Sequence, residues 1–225
     1  MRLVVSASLV LLVACGLPKD TDDTLEHIQE GSLRAGAVVN PPWVAVDGNR
    51  LAGVDVHLVE AMARVLGARV SWARGTESEL IEALEGGELD IVVGGLPADA
   101  AWTKEVGATR PYYTDTIILS SPGGSAGDLD GSRVSVEAGD PASVYLRKKG
   151  AVPVPVSNLE SAQGPIATTP WKLATLGRST SGIVLHETPR VMAVPPGENA
   201  WLLRLERALR EWEDSIPRLL RKPKQ

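Results

Sequence analysis

Residues 33–39 form a short apolar run that meets Asn40-Pro41-Pro42, the pattern of a strand entering a loop. Asp47-Gly48-Asn49 marks a turn. From Asp55 the period changes. Val56, Val59, Met62, Ala63 and Leu66 recur at helical spacing on one face, with Gly67 just past the end. Residues 69–73 alternate like a strand. Thr76-Glu77-Ser78-Glu79 reads as a capping box, in which Thr76 and Glu79 satisfy each other's free backbone donors. The helix it opens carries Leu80, Ile81 and Leu84 and stops at Gly86-Gly87. Residues 89–93 are a fully apolar strand ending in Gly94-Gly95. Strands and helices alternating through short loops predict an α/β fold, with a parallel sheet covered by helices.

A second set follows. Residues 100–106 predict a helix, Arg110-Pro111-Tyr112-Tyr113 leads into a strand at 116–119, and 122–127 form a Gly- and Ser-rich loop. Residues 133–137 predict a strand. Asp140-Pro141 starts a helix with Asp at N-cap and Pro at the first position. That helix carries Val144 and Leu146 and ends at Gly150. Residues 152–156 read as a Pro-interrupted edge strand, and Ser157-Asn158-Leu159-Glu160 as a second capping box. Short strands at 183–185 and 191–194 flank Pro189, and 199–212 is amphipathic through Leu202, Leu205, Ala208, Leu209 and Trp212. This second βα set predicts a second lobe. Little pattern marks 162–189.

The amino terminus changes the picture of where the domain works. Met1-Arg2 precedes an apolar run over 3–14 broken only by Ser6 and Ser8. The run is shorter than the roughly 20 residues of a membrane-spanning helix and leads to small residues, as export signals do. Leu12-Val13-Ala14-Cys15 resembles the lipobox of bacterial lipoproteins, which implies acylation of Cys15 as the new amino terminus; the alternative is an ordinary signal peptide with an incidental Cys. Residues 1–14 are therefore expected to be a signal peptide and 15–23, which are polar and acidic, a lipidated tether. One acyl chain holds a membrane only marginally; the resemblance implies several. With a single Cys there is neither a disulfide nor a Cys-based metal site. The net charge of −5 speaks against a nucleic-acid partner, and the closing Arg218, Arg221, Lys222 and Lys224 read as a solvated helix end.

Several segments stand in the order and spacing of a known family. They are Gly31-Ser32-Leu33-Arg34-Ala35-Gly36, Pro41-Pro42-Trp43, Gly53-Val54-Asp55-Val56, Gly87-Glu88-Leu89-Asp90-Ile91-Val92-Val93-Gly94-Gly95, Thr109-Arg110-Pro111-Tyr112-Tyr113 and Ala193-Val194-Pro195-Pro196-Gly197-Glu198-Asn199. The chain resembles the polar amino-acid-type (family 3) extracellular solute-binding proteins over residues 31–212. The resemblance implies two α/β lobes of the periplasmic-binding-protein type II fold joined by two crossing strands. It places lobe 1 at 24–115 plus 190–225 and lobe 2 at 116–189. It also implies a monomer, a small-molecule solute held between the lobes, and an ABC permease as partner. Hinge closure on the ligand is the motion such proteins use.

The family's ligand clamp has no counterpart at its usual positions. An Arg that pairs with the ligand carboxylate is expected where Trp102 stands, and a Thr where Asp99 stands; no acid stands near Thr169-Pro170 to take an ammonium. The candidate surface is therefore Trp43, Glu77, Gly95, Asp99, Trp102, Gly139, Asp140 and Ser143. Aromatic rings and carboxylates with no fixed cation suit a cationic or sugar-like ligand and disfavour a standard amino acid. Each residue also has a plain structural reading: Asp140 and Asp99 as N-caps, Glu77 as a first-turn acid, Trp43 and Trp102 as core. His27, His57 and His186 form no metal-binding or nucleophile-activating spacing. No phosphate-binding loop or dinucleotide fingerprint is present, so no cofactor is expected. The expected function is a non-enzymatic solute receptor. The alternatives are an exported lyase or hydrolase using Asp99 or Glu77 as a cleft acid, or an interaction module without a ligand.

Overall fold

The computed structural model describes residues 19–121 and 129–221. The expected signal peptide, Cys15, the start of the tether, the 122–127 loop, and Lys222 and Lys224 lie outside them. The chain runs α1 (Thr24–Gln29), β1 (Ser32–Ala37), a hairpin of β2 (Ala45–Asp47) and β3 (Arg50–Ala52), α2 (Val54–Leu66), β4 (Arg69–Arg74), α3 (Glu77–Glu85) and β5 (Ile91–Pro97). After a 3-10 turn at Ala101–Lys104 come β6 (Gly107–Ala108), β7 (Tyr113–Ser120), β8 (Arg133–Glu137), α4 (Ala142–Lys148) and β9 (Val152–Val156). A 3-10 turn at Leu159–Ser161, β10 (Ile166–Thr168), α5 (Pro170–Thr175), β11 (Val184–Val194), α6 (Asn199–Trp212), a 3-10 turn at Glu213–Ser215 and α7 (Ile216–Leu220) complete it.

One sheet has the order β4-β1-β5-β11-β7-β10-β8-β9, with β6 also on β11. In the first lobe β1 pairs parallel with both β4 and β5. In the second, β8 pairs parallel with β9 and β10. The two are joined by β7 and β11, antiparallel to each other with Arg190 opposite Tyr113 and Glu187 opposite Thr116. This is the mixed α/β, two-lobed architecture expected. The periods explain its burial. Along β5, Ile91 and Val93 enter one apolar cluster with Leu33, Leu58, Met62, Trp201 and Leu205, while Val92 and Leu96 enter another with Leu80, Leu84, Trp102 and Val191. Alternation puts successive side chains on opposite faces, and helices cover both. The second lobe repeats this, with Val134, Val136 and Leu146 around Leu119 on one face and Leu159, Ile166 and Leu173 around Ile118 on the other. Trp171 of the second lobe, half-buried, packs against the first lobe's core.

The capping box before α3 forms: Thr76 Oγ1 accepts from Glu79 N at 3.4 Å, and Glu79 accepts from Thr76 N at 2.8 Å. Other expectations are corrected. The helix expected at 100–106 is a single 3-10 turn, because β5 runs on to Pro97 and β6 already begins at Gly107. The strands expected on either side of Pro189 are one strand, β11. Pro189 lies opposite Thr114 on β7, one residue outside the last pairing with β5, where its carbonyl accepts from Ala98 N at 3.0 Å. The second capping box is absent; Asn158, not Ser157, accepts from Glu160 N at 2.8 Å. Residues 20–22 of the expected tether are held against the fold. Asp20 accepts from Ala200 N and Trp201 N at the start of α6, while Glu198 accepts from Thr21 N, Asp22 N and Thr24 N at the start of α1. Each helix end is capped by an acid beside the other.

Candidate functional site

A cleft of about 240 Å³ lies where the lobes meet. Its first-lobe wall is Asn40 to Trp43, its floor is Asp115, Ile117, His186, Thr188 and Arg190 from the crossing strands, and its second-lobe wall comes from β8, α4 and the start of α5. Those second-lobe residues are Glu137, Asp140, Pro141, Tyr145, Thr168, Thr169, Trp171 and Lys172. The volume lies just below the roughly 300–1,000 Å³ of drug-sized ligand pockets, so it suits a small solute. Three hollows on the outer surface are larger, at about 300–380 Å³, but the cleft is where residues with unpartnered buried polar atoms gather. Among the described residues, the buried side-chain atoms without a partner are Asp115 Oδ1, Thr169 Oγ1, Trp171 Nε1, Arg190 Nε and Trp102 Nε1. All but the last belong to cleft residues. Buried polar groups are nearly always paired, so this concentration makes the cleft the candidate ligand site.

The first-lobe wall is built around Asp55. Its carboxylate is fully buried and accepts from Gly94 N at 3.0 Å, Gly95 N at 2.7 Å and the Tyr112 hydroxyl at 2.7 Å. Burial pushes Asp55 above the usual carboxylate range, against the pull of these hydrogen bonds and of Arg190. Burial and the neighbouring Asp55 together push the Tyr112 hydroxyl well up. Gly95 has φ +62°, and a Cβ there would lie 2.2 Å from Trp43 Cδ1. Only glycine lets the backbone turn and the indole lie against it. Trp43, 1% exposed, meets Tyr112 edge-on at 6.0 Å and Tyr113 at 5.5 Å. The Arg190 guanidinium lies 5.6 Å from its ring centre.

The charged groups are mostly paired. Arg190 Nη2 donates to Asp115 Oδ2 at 2.9 Å and Nη1 to Gly95 O at 2.7 Å. Lys172 is bonded to Glu137. Asp140 makes no ion pair among the described residues; its Oδ1 accepts from Ala142 N at 2.8 Å. Burial pushes the Asp140 carboxyl up, opposed by that N–H and by Lys172 and reinforced by the charges of Glu137 and Asp115. The Tyr145 and His186 rings stack at 3.9 Å on the same cleft.

The eight residues expected to form one surface separate. Trp43 and Asp140 line the cleft. Gly95 supports it by holding Arg190 through its carbonyl, and Ser143 donates to the Asp140 carbonyl at 2.7 Å. Gly139 is exposed beside Asp140, its φ of +85° making the turn into α4. Glu77 and Trp102 face a separate surface hollow with Ile81 and Glu105. Trp102 is drawn there because Leu80, Ile81 and Val106 form its apolar surroundings. Asp99 is exposed and lines none of the described hollows. The cleft, unlike the surface expected, is lined by two cationic side chains, Arg190 and Lys172. Sequence reasoning missed Arg190, Asp115, Glu137 and Lys172. For Arg190 one signal existed: an arginine flanked by Pro189 and the apolar 191–194 run, inside what is one strand.

Comparison with known proteins agrees with this layout. The family described as bacterial extracellular solute-binding proteins, family 3, matches residues 33–222. A Campylobacter jejuni protein named probable histidine-binding protein is 26% identical over 137 residues, covering 58% of this chain and 54% of that protein. The membrane-bound lytic murein transglycosylase F of Vibrio cholerae is 32% identical over 106 residues, covering 46% of this chain and 20% of the enzyme. The chain thus spans about half the length of the first of these relatives and a fifth of the second. The solved structure of an ancestral cationic amino acid solute binding protein superposes with a TM-score of 0.71 at 20% identity, over 88% of this chain and all of that one.

Proposed function

The chain belongs to the bacterial extracellular solute-binding proteins, family 3, and from that premise we propose that it is the solute receptor of an ABC-type importer, closing its lobes on one small, polar, charged solute. The cleft carries the reading: it is small, it lies between the lobes, and it holds unpartnered polar atoms of both signs, donors on Arg190 and Trp171 and an acceptor on Asp115. The hinge is proposed at 115/116 and 189/190, positions that β7 and β11 bring side by side. The Trp171 contact with the first lobe is then the latch of the closed form. Membership in an extracellular family implies an exported protein. Acylation of Cys15 is the proposed anchor, which keeps the receptor near its permease.

Thermal unfolding of the purified protein against amino acids, amines and sugars tests the reading. A ligand at about 100 times its Kd adds about 2.7 kcal/mol of stability, which for a chain of this size raises Tm by about 5–10 °C. One chemical class giving such a shift is the expected outcome. A flat response across all three classes contradicts the proposal.

A further inference from the structure

The three outer hollows of the first lobe differ in charge. One holds the Arg110–Glu206 pair, one is lined by four glutamates, and the third is cationic. The third, about 370 Å³, sits at the edge strand β4 and is the size of a small-ligand pocket. Trp72 and Arg74 stand two apart on β4 and so project from the same face of the strand. The β2–β3 hairpin brings Asn49, Arg50 and Leu51 to them, and α2 brings Glu60. Leu51 and Trp72 are half-buried against the first lobe's core. The Trp72 indole N–H has no hydrogen bond among the described residues and is not one of the buried unpartnered atoms, so it is accessible. Arg50 and Arg74 are exposed and make no ion pair or hydrogen bond among the described residues. Between residues 47 and 75, Arg50, Arg64, Arg69 and Arg74 outnumber the exposed acids Asp47 and Glu60, although the whole chain carries a net charge of −5. Free guanidinium forks suit a carboxylate or phosphate. An accessible indole offers an apolar body with a donor at its edge.

We propose that this hollow is a second binding site, separate from the cleft, for an anionic sugar unit. Arg50 and Arg74 take its carboxylate or phosphate, Trp72 its ring, and Glu60 and Asn49 its hydroxyls. A bare anion would leave the indole and the Glu60 carboxylate without a part, and a neutral sugar would leave both arginines unpaired. The hollow belongs to the first lobe alone, so its occupancy does not depend on solute in the cleft. The same chemistry is offered by a free sugar acid and by an acidic polysaccharide.

Calorimetric titration of the full chain with D-glucuronate, glucose 6-phosphate, D-glucose, acetate and polygalacturonate tests it. At least one acidic sugar is expected to bind about tenfold or more tightly than glucose or acetate. Tighter binding of polygalacturonate than of glucuronate makes the source a polymer, and the reverse a free sugar acid; either supports the site. The double variant Arg50→Gln, Arg74→Gln changes only exposed, unpaired side chains and is expected to lose the preference. Thr169→Trp, which fills the cleft wall, is expected to keep it. Glucose or acetate binding as tightly as the acidic sugars overturns the proposal. So does acidic-sugar binding that survives the double variant, or that is lost in Thr169→Trp and so belongs to the cleft. Binding of hexaglutamate and of no sugar overturns the sugar assignment in favour of an acidic protein segment. No binding of any probe overturns the site and leaves the receptor reading of the cleft intact.

Discussion

Single residues set the shape of this cleft, and two make sharp predictions. Gly95→Ala introduces a Cβ at 2.2 Å from the Trp43 ring on a backbone with φ +62°. The indole must move, and with it the surface against which Arg190 rests. The expected result is destabilisation by about 1–3 kcal/mol in urea unfolding, with a shifted tryptophan emission and weaker solute binding; an unchanged spectrum and midpoint would contradict the packing described. Asp140 makes a prediction in pH. If the solute carries a cation that Asp140 takes, it binds the carboxylate form, and burial has raised the pH at which that form is lost. Affinity should then fall with acidification, and at a higher pH than an ordinary Asp would give. Asp140→Asn should bind more weakly at neutral pH and lose that pH dependence. Trp43 and Asp140 were legible in the sequence because an aromatic after Pro41-Pro42 and an acid after Gly139 stand out locally. Arg190 and Asp115 were not, since their pairing depends on two strands about 75 residues apart in sequence finding register.

The elements were read best where local chemistry decides them. The α2 period, the box before α3 and the amphipathic α6 all appear as expected, because capping and one-sided burial act within a few residues. Lengths near β6 and Pro189 were misread because tertiary pairing decided them instead. The reciprocal caps of α1 and α6 also join distant segments, so the sequence showed only acids in a polar stretch. Burial pushes Glu198 up, but the N–H groups of Asp22, Thr24 and Thr21 outweigh it and hold its pKa below the usual 4.5. A folded-state value below the unfolded one adds stability that is complete above the unfolded pKa and lost as pH falls through the folded one. Glu198→Gln is therefore expected to cost about 1–2 kcal/mol at pH 7 and little once acid has protonated the native carboxylate. A cost that persists in acid would show that the contribution is not the carboxylate's charge.

At the scale of the molecule, β7 and β11 tie two sheeted lobes together and leave the cleft between them. The fold class was legible because strands and helices alternate throughout; the ligand chemistry was not, because a cleft takes its residues from both lobes and the hinge. Cys15 belongs to this scale too. If it carries lipid, Cys15→Ala should move the protein from the membrane fraction to the soluble exported fraction without altering binding, and fractionation with a titration of the released protein checks both. The central claim is that solute occupies the space between the lobes. It is tested most directly by titrating the best solute of the panel into the unmodified protein and into Thr169→Trp, which fills the second-lobe wall, with circular dichroism confirming that the variant is folded. The account predicts one site per chain in the first and none in the second. Equal affinity in both would place the solute elsewhere and contradict it.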